Sequence, residues 1–163
     1  MRTPASFLFL ALLTALPLRA EKPNPVKWAP FTEGVQNAIS KGKYVFVDVY
    51  ADWCGYCKQL DLVTFRAPTV VAELDKNFVS VKLDSDGETP VVWKGHKMTS
   101  RELASLWRID GLPTMIFINP KGEIVGSYSS YAEPDLMAKL LTYISSGARE
   151  RKVSFDDYLK GAG

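Results

Sequence analysis

The chain has 163 residues, 47% of them apolar and 23% charged, which suits one globular domain with a real core and excludes a disordered or fibrous chain. Arg2, the apolar run "FLFLALLTAL", Pro17 and Ala20 have the layout of a secretory signal over residues 1–20, too short to span a bilayer comfortably. Its removal would take Arg2 and Arg19 from 20 basic residues and leave 18 against 18 acids, a neutral exported domain with no electrostatic footprint for nucleic acid and no polybasic membrane patch.

Residues 21–31, with three prolines, read as an extended lead-in. In "TEGVQNAISKGK", Thr32 is a candidate N-cap, Val35, Ala38 and Ile39 fall at helical spacing, and Gly42 stops the helix. "YVFVDVY" (44–50) is apolar nearly throughout, as a strand buried on both faces would be. The cysteine stretch "ADWCGYCKQL" follows at once, with helical character through "CKQLDLVTF". "PTVVAELDKNF" opens on Pro68 as a further helix, and "VSVKLD" is a second strand.

The polar, turn-rich insertion at 85–98 carries no predicted structure. Thr99 and Glu102 form a capping-box pattern ahead of "SRELASLWRI". "TMIFIN", "PKG" and "EIVGSYS" predict a hairpin. "EPDLMAKLLTYISSG" predicts a helix with Leu136, Leu140, Leu141 and Ile144 on one face and Gly147 at its end. In the C-terminal extension, 148–163, Phe155, Tyr158 and Leu159 would pack one helical turn back on the body. Early strands separated by helices, then a closing hairpin, predict an α/β fold: a central mixed β-sheet flanked by helices on both faces.

Cys54 and Cys57 are the only cysteines. A cross-link between them closes too small a loop to act as a useful staple. Structural zinc asks for four ligands, and the chain offers two cysteines and His96. A strand running into a helix at Cys54 places that thiol at a helix N-terminus, where unpaired N–H groups and the dipole favour the thiolate. Cys57 sits one turn further in, so the pattern predicts an exposed nucleophile and a shielded resolving thiol, the arrangement that thiol–disulfide exchange needs. A copper carrier using Cys54 and Cys57 with His96 or Met98 is the alternative of another class.

"VFVDVYADWCGYCKQL" resembles the active-site segment of the thioredoxin superfamily, and "IDGLPTMIFIN" resembles its proline segment, the likeness running from about Thr32 to Gly147. The resemblance implies the thioredoxin fold over 32–147 and several roles. Asp48 would be the buried acid that moves the proton of Cys57, its pKa raised by desolvation as suits a general acid or base, and Lys82 the lysine near it. Pro113 would be the cis-proline facing the disulfide, with the backbone of Leu112 pairing with a bound peptide. Trp53 would shield the pair and offer a flat apolar contact. Gly55 and Tyr56 lie between the cysteines, Tyr56 on the exposed rim.

Gly-Tyr replaces the Gly-Pro common in cytosolic thioredoxins and is the dipeptide found in periplasmic disulfide isomerases, while the histidine of strongly oxidising relatives is absent. With the export signal, the insertion and the tail, the chain is similar to the periplasmic thioredoxin-like group of the SoxW type and to the C-terminal domain of the membrane reductant transporter. The expectation is a monomeric periplasmic protein-disulfide reductase. It needs no cofactor beyond the Cys54–Cys57 couple and no metal, acts on disulfide-containing periplasmic proteins, and is re-reduced by a membrane thiol–disulfide transporter. An oxidant or isomerase is the alternative within the class.

Overall fold

The computed structural model describes residues 25–161. The expected secretory signal over residues 1–20 and residues 21–24 of the lead-in lie outside them. Strand β1 (Trp28–Ala29) sits within the lead-in and is followed by α1 (Phe31–Ser40), β2 (Tyr44–Tyr50) and α2 (Gly55–Leu62). After a 3-10 turn at Thr64–Arg66 come α3 (Pro68–Asn77), β3 (Phe78–Asp84), β4 (Pro90–Trp93), β5 (His96–Thr99) and α4 (Ser100–Leu106). The chain ends with β6 (Thr114–Ile118), β7 (Ile124–Tyr128), α5 (Pro134–Ser145) and α6 (Phe155–Leu159).

Five strands form one sheet in the order β1-β3-β2-β6-β7. β2 and β1 run parallel to β3, while β6 runs antiparallel to both β2 and β7. The apolar run at 44–50 is therefore the central strand, and its alternation feeds two cores. Phe46 points with Phe117, Leu60, Leu74 and Leu141 into the layer beneath α2, α3 and α5. Val45, Val47 and Val49 point with Val35, Ala38 and Leu103 into the layer beneath α1 and α4. A polar side chain at 46 or 48 is thus sealed under helices rather than exposed at an edge.

Several local expectations are corrected. Thr32 lies inside α1, whose N-cap is Pro30, and its Oγ1 instead accepts from the Val92 N–H at 2.9 Å. The helix after Cys54 ends at Leu62 and tightens into the 3-10 turn. The insertion is a β-hairpin: Val91 pairs with Met98 and Trp93 with His96 across Lys94-Gly95. Those two turn residues have φ of 49° and 83°, the left-handed pair that a two-residue type I′ turn requires. Val91 and Trp93 are buried against α1 and α4, so the hairpin is part of the second core. In the extension, Phe155 and Tyr158 both pack on the ring of Tyr143 at 5.3 Å, but Leu159 is exposed. Leu136 is half-buried, and Met137 takes the core position beside it. The Thr99–Glu102 capping box forms in both directions.

α1 crosses β3 at Gly34, where an added Cβ would overlap Val81 Cγ1 and meet Ala29 Cβ at 3.2 Å. Alanine would gain about 1 kcal/mol in helix propensity, against about 1–3 kcal/mol for overpacking a core that cannot shift. Gly34→Ala is therefore expected to lower stability, read as a reduced urea midpoint with an unchanged slope.

Candidate active site

Cys54 and Cys57 are joined by a disulfide, with Cα atoms 5.3 Å apart. Cys54 is the N-cap of α2, in extended backbone, and its Sγ accepts the Cys57 N–H at 3.1 Å. A sulfur in the side-chain capping position receives a donor that is free only because helix backbone N–H groups of the first turn have no partner within the helix. The same donor would bind a Cys54 thiolate more strongly, as a charge-assisted bond. The expected asymmetry of exposure is corrected for this oxidised form: Cys54 is 4% and Cys57 3% exposed. The S–S bond and the N–H···S bond both draw the Cys54 sulfur back over the first turn.

Around the pair, Trp53 is 71% and Tyr56 62% exposed. The Trp53 indole N–H donates to Asp86 Oδ2 at 2.7 Å, and Asp86 is fastened in turn by the Arg101 guanidinium, which donates to its carbonyl at 2.6 Å. The Leu112–Pro113 peptide bond is cis. Thr114 holds the turn before it, its hydroxyl lying 2.7 Å from the Gly111 carbonyl, which accepts from it, and 2.9 Å from Ser129 Oγ. Leu112 lines two open grooves. One, of about 470 Å³, also has Tyr56, Pro113, Ser129 and Tyr131 in its walls; the other, of about 330 Å³, has Trp53, Asp86, Arg101 and Asp110. Gly55 adds no side chain to the rim, and nothing stands within 4 Å of where its Cβ would be.

Beneath α2, Asp48 is fully buried and lies beside Lys82 in the register of β2 and β3. Neither of its carboxylate oxygens has a hydrogen-bond partner, and Lys82 Nζ is 3.3 Å from Oδ2. Burial pushes its pKa up to about 6; the Lys82 charge, and to a smaller degree weak hydrogen bonding from its ammonium, pull it down without cancelling the effect, and the charge of Asp61 adds to the rise. For Lys82, burial works against the charged form, but Asp48 and Asp61 outweigh it and the net shift is upward. Asp48 and Lys82 therefore occur together under the helix that bears the cysteines.

Sequence reasoning missed Asp61, Trp28, Tyr50, Asp86 and Tyr131. Asp61 was within reach, since it follows Cys57 by one helical turn, on the same face. Tyr50 closes the same strand as Asp48, and Trp28, Asp86 and Tyr131 arrive from distant segments with no local signal. His96 is exposed on β5 and Met98 packs on the core beneath α1 and α4. Among the described residues no three His, Cys, Asp or Glu side chains gather as a metal site.

A mixed sheet covered on both faces, with a cysteine pair capping the helix after its central strand and a cis-proline on the facing loop, is the thioredoxin architecture. A family model described as a thioredoxin-like domain matches residues 31–145, and the chain belongs to that family of thiol–disulfide oxidoreductases. It is 38% identical over 87 residues to the thiol:disulfide interchange protein DsbD of Cronobacter sakazakii, covering 52% of this chain and 13% of that one. It is 30% identical over 105 residues to a protein disulfide-isomerase of Ricinus communis, covering 64% of this chain and 19% of that one. This chain spans about a fifth or less of the length of these two relatives. Among solved structures, a thioredoxin from Thermus thermophilus superposes with a TM-score of 0.63 at 27% identity, over 76% of this chain and 90% of that one.

Proposed function

We propose that the protein is an exported thiol–disulfide oxidoreductase that reduces disulfides of periplasmic proteins. In the reduced state Cys54, as thiolate, attacks one sulfur of a client disulfide; the client's other sulfur leaves as a thiolate and takes a proton. Asp48 accepts the proton of Cys57, whose sulfur then attacks Cys54 Sγ. This breaks the mixed disulfide, releases the client's second thiol and leaves Cys54–Cys57 oxidised, two electrons having passed to the client. Lys82 moderates the acidity of Asp48. The client backbone lies along Leu112, beside Pro113, with its side chains in the grooves next to Trp53 and Tyr56. A membrane thiol–disulfide transporter restores the dithiol; the similarity to an interchange protein supports that supply route.

The observation that carries the direction of electron flow is the absence of a cation between the cysteines. Gly55 and Tyr56 bring no positive charge, and the buried ionisable group under α2 is a carboxylate. A couple becomes strongly oxidising when its reduced thiolate is stabilised. Here no cation stands between the cysteines, and Asp48 opposes a second negative charge. Equilibration of the couple with a thiol buffer is expected to give a potential near about −270 mV, whereas about −120 to −180 mV would assign the protein to the oxidants and isomerases.

A further inference from the structure

Lys82 stands between two carboxylates and serves them unequally. Its ammonium donates to both oxygens of Asp61, at 2.7 and 2.8 Å, and approaches Asp48 only at 3.3 Å. That longer contact acts chiefly through charge: any hydrogen bonding from Lys82 to Asp48 is the smaller effect, and at 3.3 Å it falls short of full hydrogen-bond geometry, leaving both Asp48 oxygens without a close partner. The rings of Trp28 and Tyr50 flank the ammonium at 4.9 and 5.0 Å and hold it sideways. Its place between the two acids is therefore set by which acid grips it harder, and Asp61 grips it with a bidentate, charge-assisted pair.

We propose that Asp61 is a positioning residue for disulfide exchange: by holding Lys82 through both carboxylate oxygens it keeps the ammonium from hydrogen-bonding Asp48, and so leaves Asp48 free to take and return the proton of Cys57. The proposal rests on the proton-handling role given to Asp48 above. The ionisable groups acting on Asp48 are Lys82 from β3 and Asp61 from α2, with the Tyr50 hydroxyl further along β2; Met115, opposite on β6, carries no charge. Removing the charge of Asp61 acts twice in one direction. It frees Lys82 to bond Asp48, and it removes a negative charge that disfavours ionisation of Asp48.

The test is a carbon-13 titration of the Asp48 carboxyl in the oxidised full chain, where the cysteines do not titrate. Asp48→Asn identifies the resonance, and amide spectra confirm that each variant keeps its fold. In Asp61→Asn the midpoint is expected to fall by about one unit, while Asp61→Glu stays near the parent. An unmoved or raised midpoint in Asp61→Asn, or equal shifts in both variants, overturns the role of Asp61. The second readout is the pH profile for resolution of a mixed disulfide by Cys57, which is expected to move with the titration. A moved titration with an unmoved rate profile would overturn the role in exchange, and with it the proton-handling reading of Asp48, whereas an unmoved titration overturns the part played by Asp61 alone.

Discussion

Replacing Cys57 by serine is expected to leave the protein covalently attached to its clients, and replacing Cys54 to leave it without activity. The two outcomes differ because the thiols enter at different steps. Cys54 caps α2, where its sulfur already accepts the Cys57 N–H, so its thiolate is the one stabilised by the helix terminus. Without it no client sulfur is attacked, and insulin reduction in Cys54→Ser should fall by roughly a thousandfold or more. In Cys57→Ser the attack still proceeds, but nothing resolves the mixed disulfide. The protein should then migrate as a client adduct that dithiothreitol releases. Adducts with Cys54→Ser rather than Cys57→Ser would reverse the assignment of nucleophile and resolving thiol.

The parts of this arrangement that could be read from the sequence were those encoded locally. A seven-residue apolar strand, a cysteine pair directly behind it and a capping box each announce themselves within a few positions. The insertion hairpin did not, although "WKGH" holds its turn, because Lys94 is an unusual residue for a left-handed position and only four residues pair on each side. Thr32 was misplaced because its side chain found a better use across the fold, receiving the Val92 N–H. The environment of Asp48 was half legible: its burial, and with it a raised pKa, followed from the continuous apolar run, but the balance of charges that sets the size of the rise did not. That depends on how Lys82 divides itself between two acids, one from the same sheet and one from the helix above, with aromatic walls from β1 and β2. No spacing rule assembles those groups.

Asp48→Asn is expected to slow resolution of the mixed disulfide at pH 7 by about a hundredfold, and to stabilise the oxidised protein progressively as the pH rises. The second effect follows from linkage. The Asp48 carboxyl moves from its ordinary 3.8 to about 6 on folding, so between those values the folded protein holds a proton that the unfolded chain has already lost. Stability therefore declines as pH rises through that window and levels off above it. At 1.36 kcal/mol per unit, the contribution is about 3 kcal/mol. Asparagine has no such proton, so its stability relative to the parent should climb by about that amount from pH 4 to pH 8. The buried amide brings its own unsatisfied polar cost of about 1–3 kcal/mol. That cost is nearly independent of pH, so it shifts the difference curve without bending it. The slope is the decisive quantity, and urea denaturation of both proteins at intervals across the window reads it, other titrating groups cancelling between them. A flat difference would mean that Asp48 titrates in the folded protein as it does in the unfolded chain, and the general-base role would then lose its physical basis.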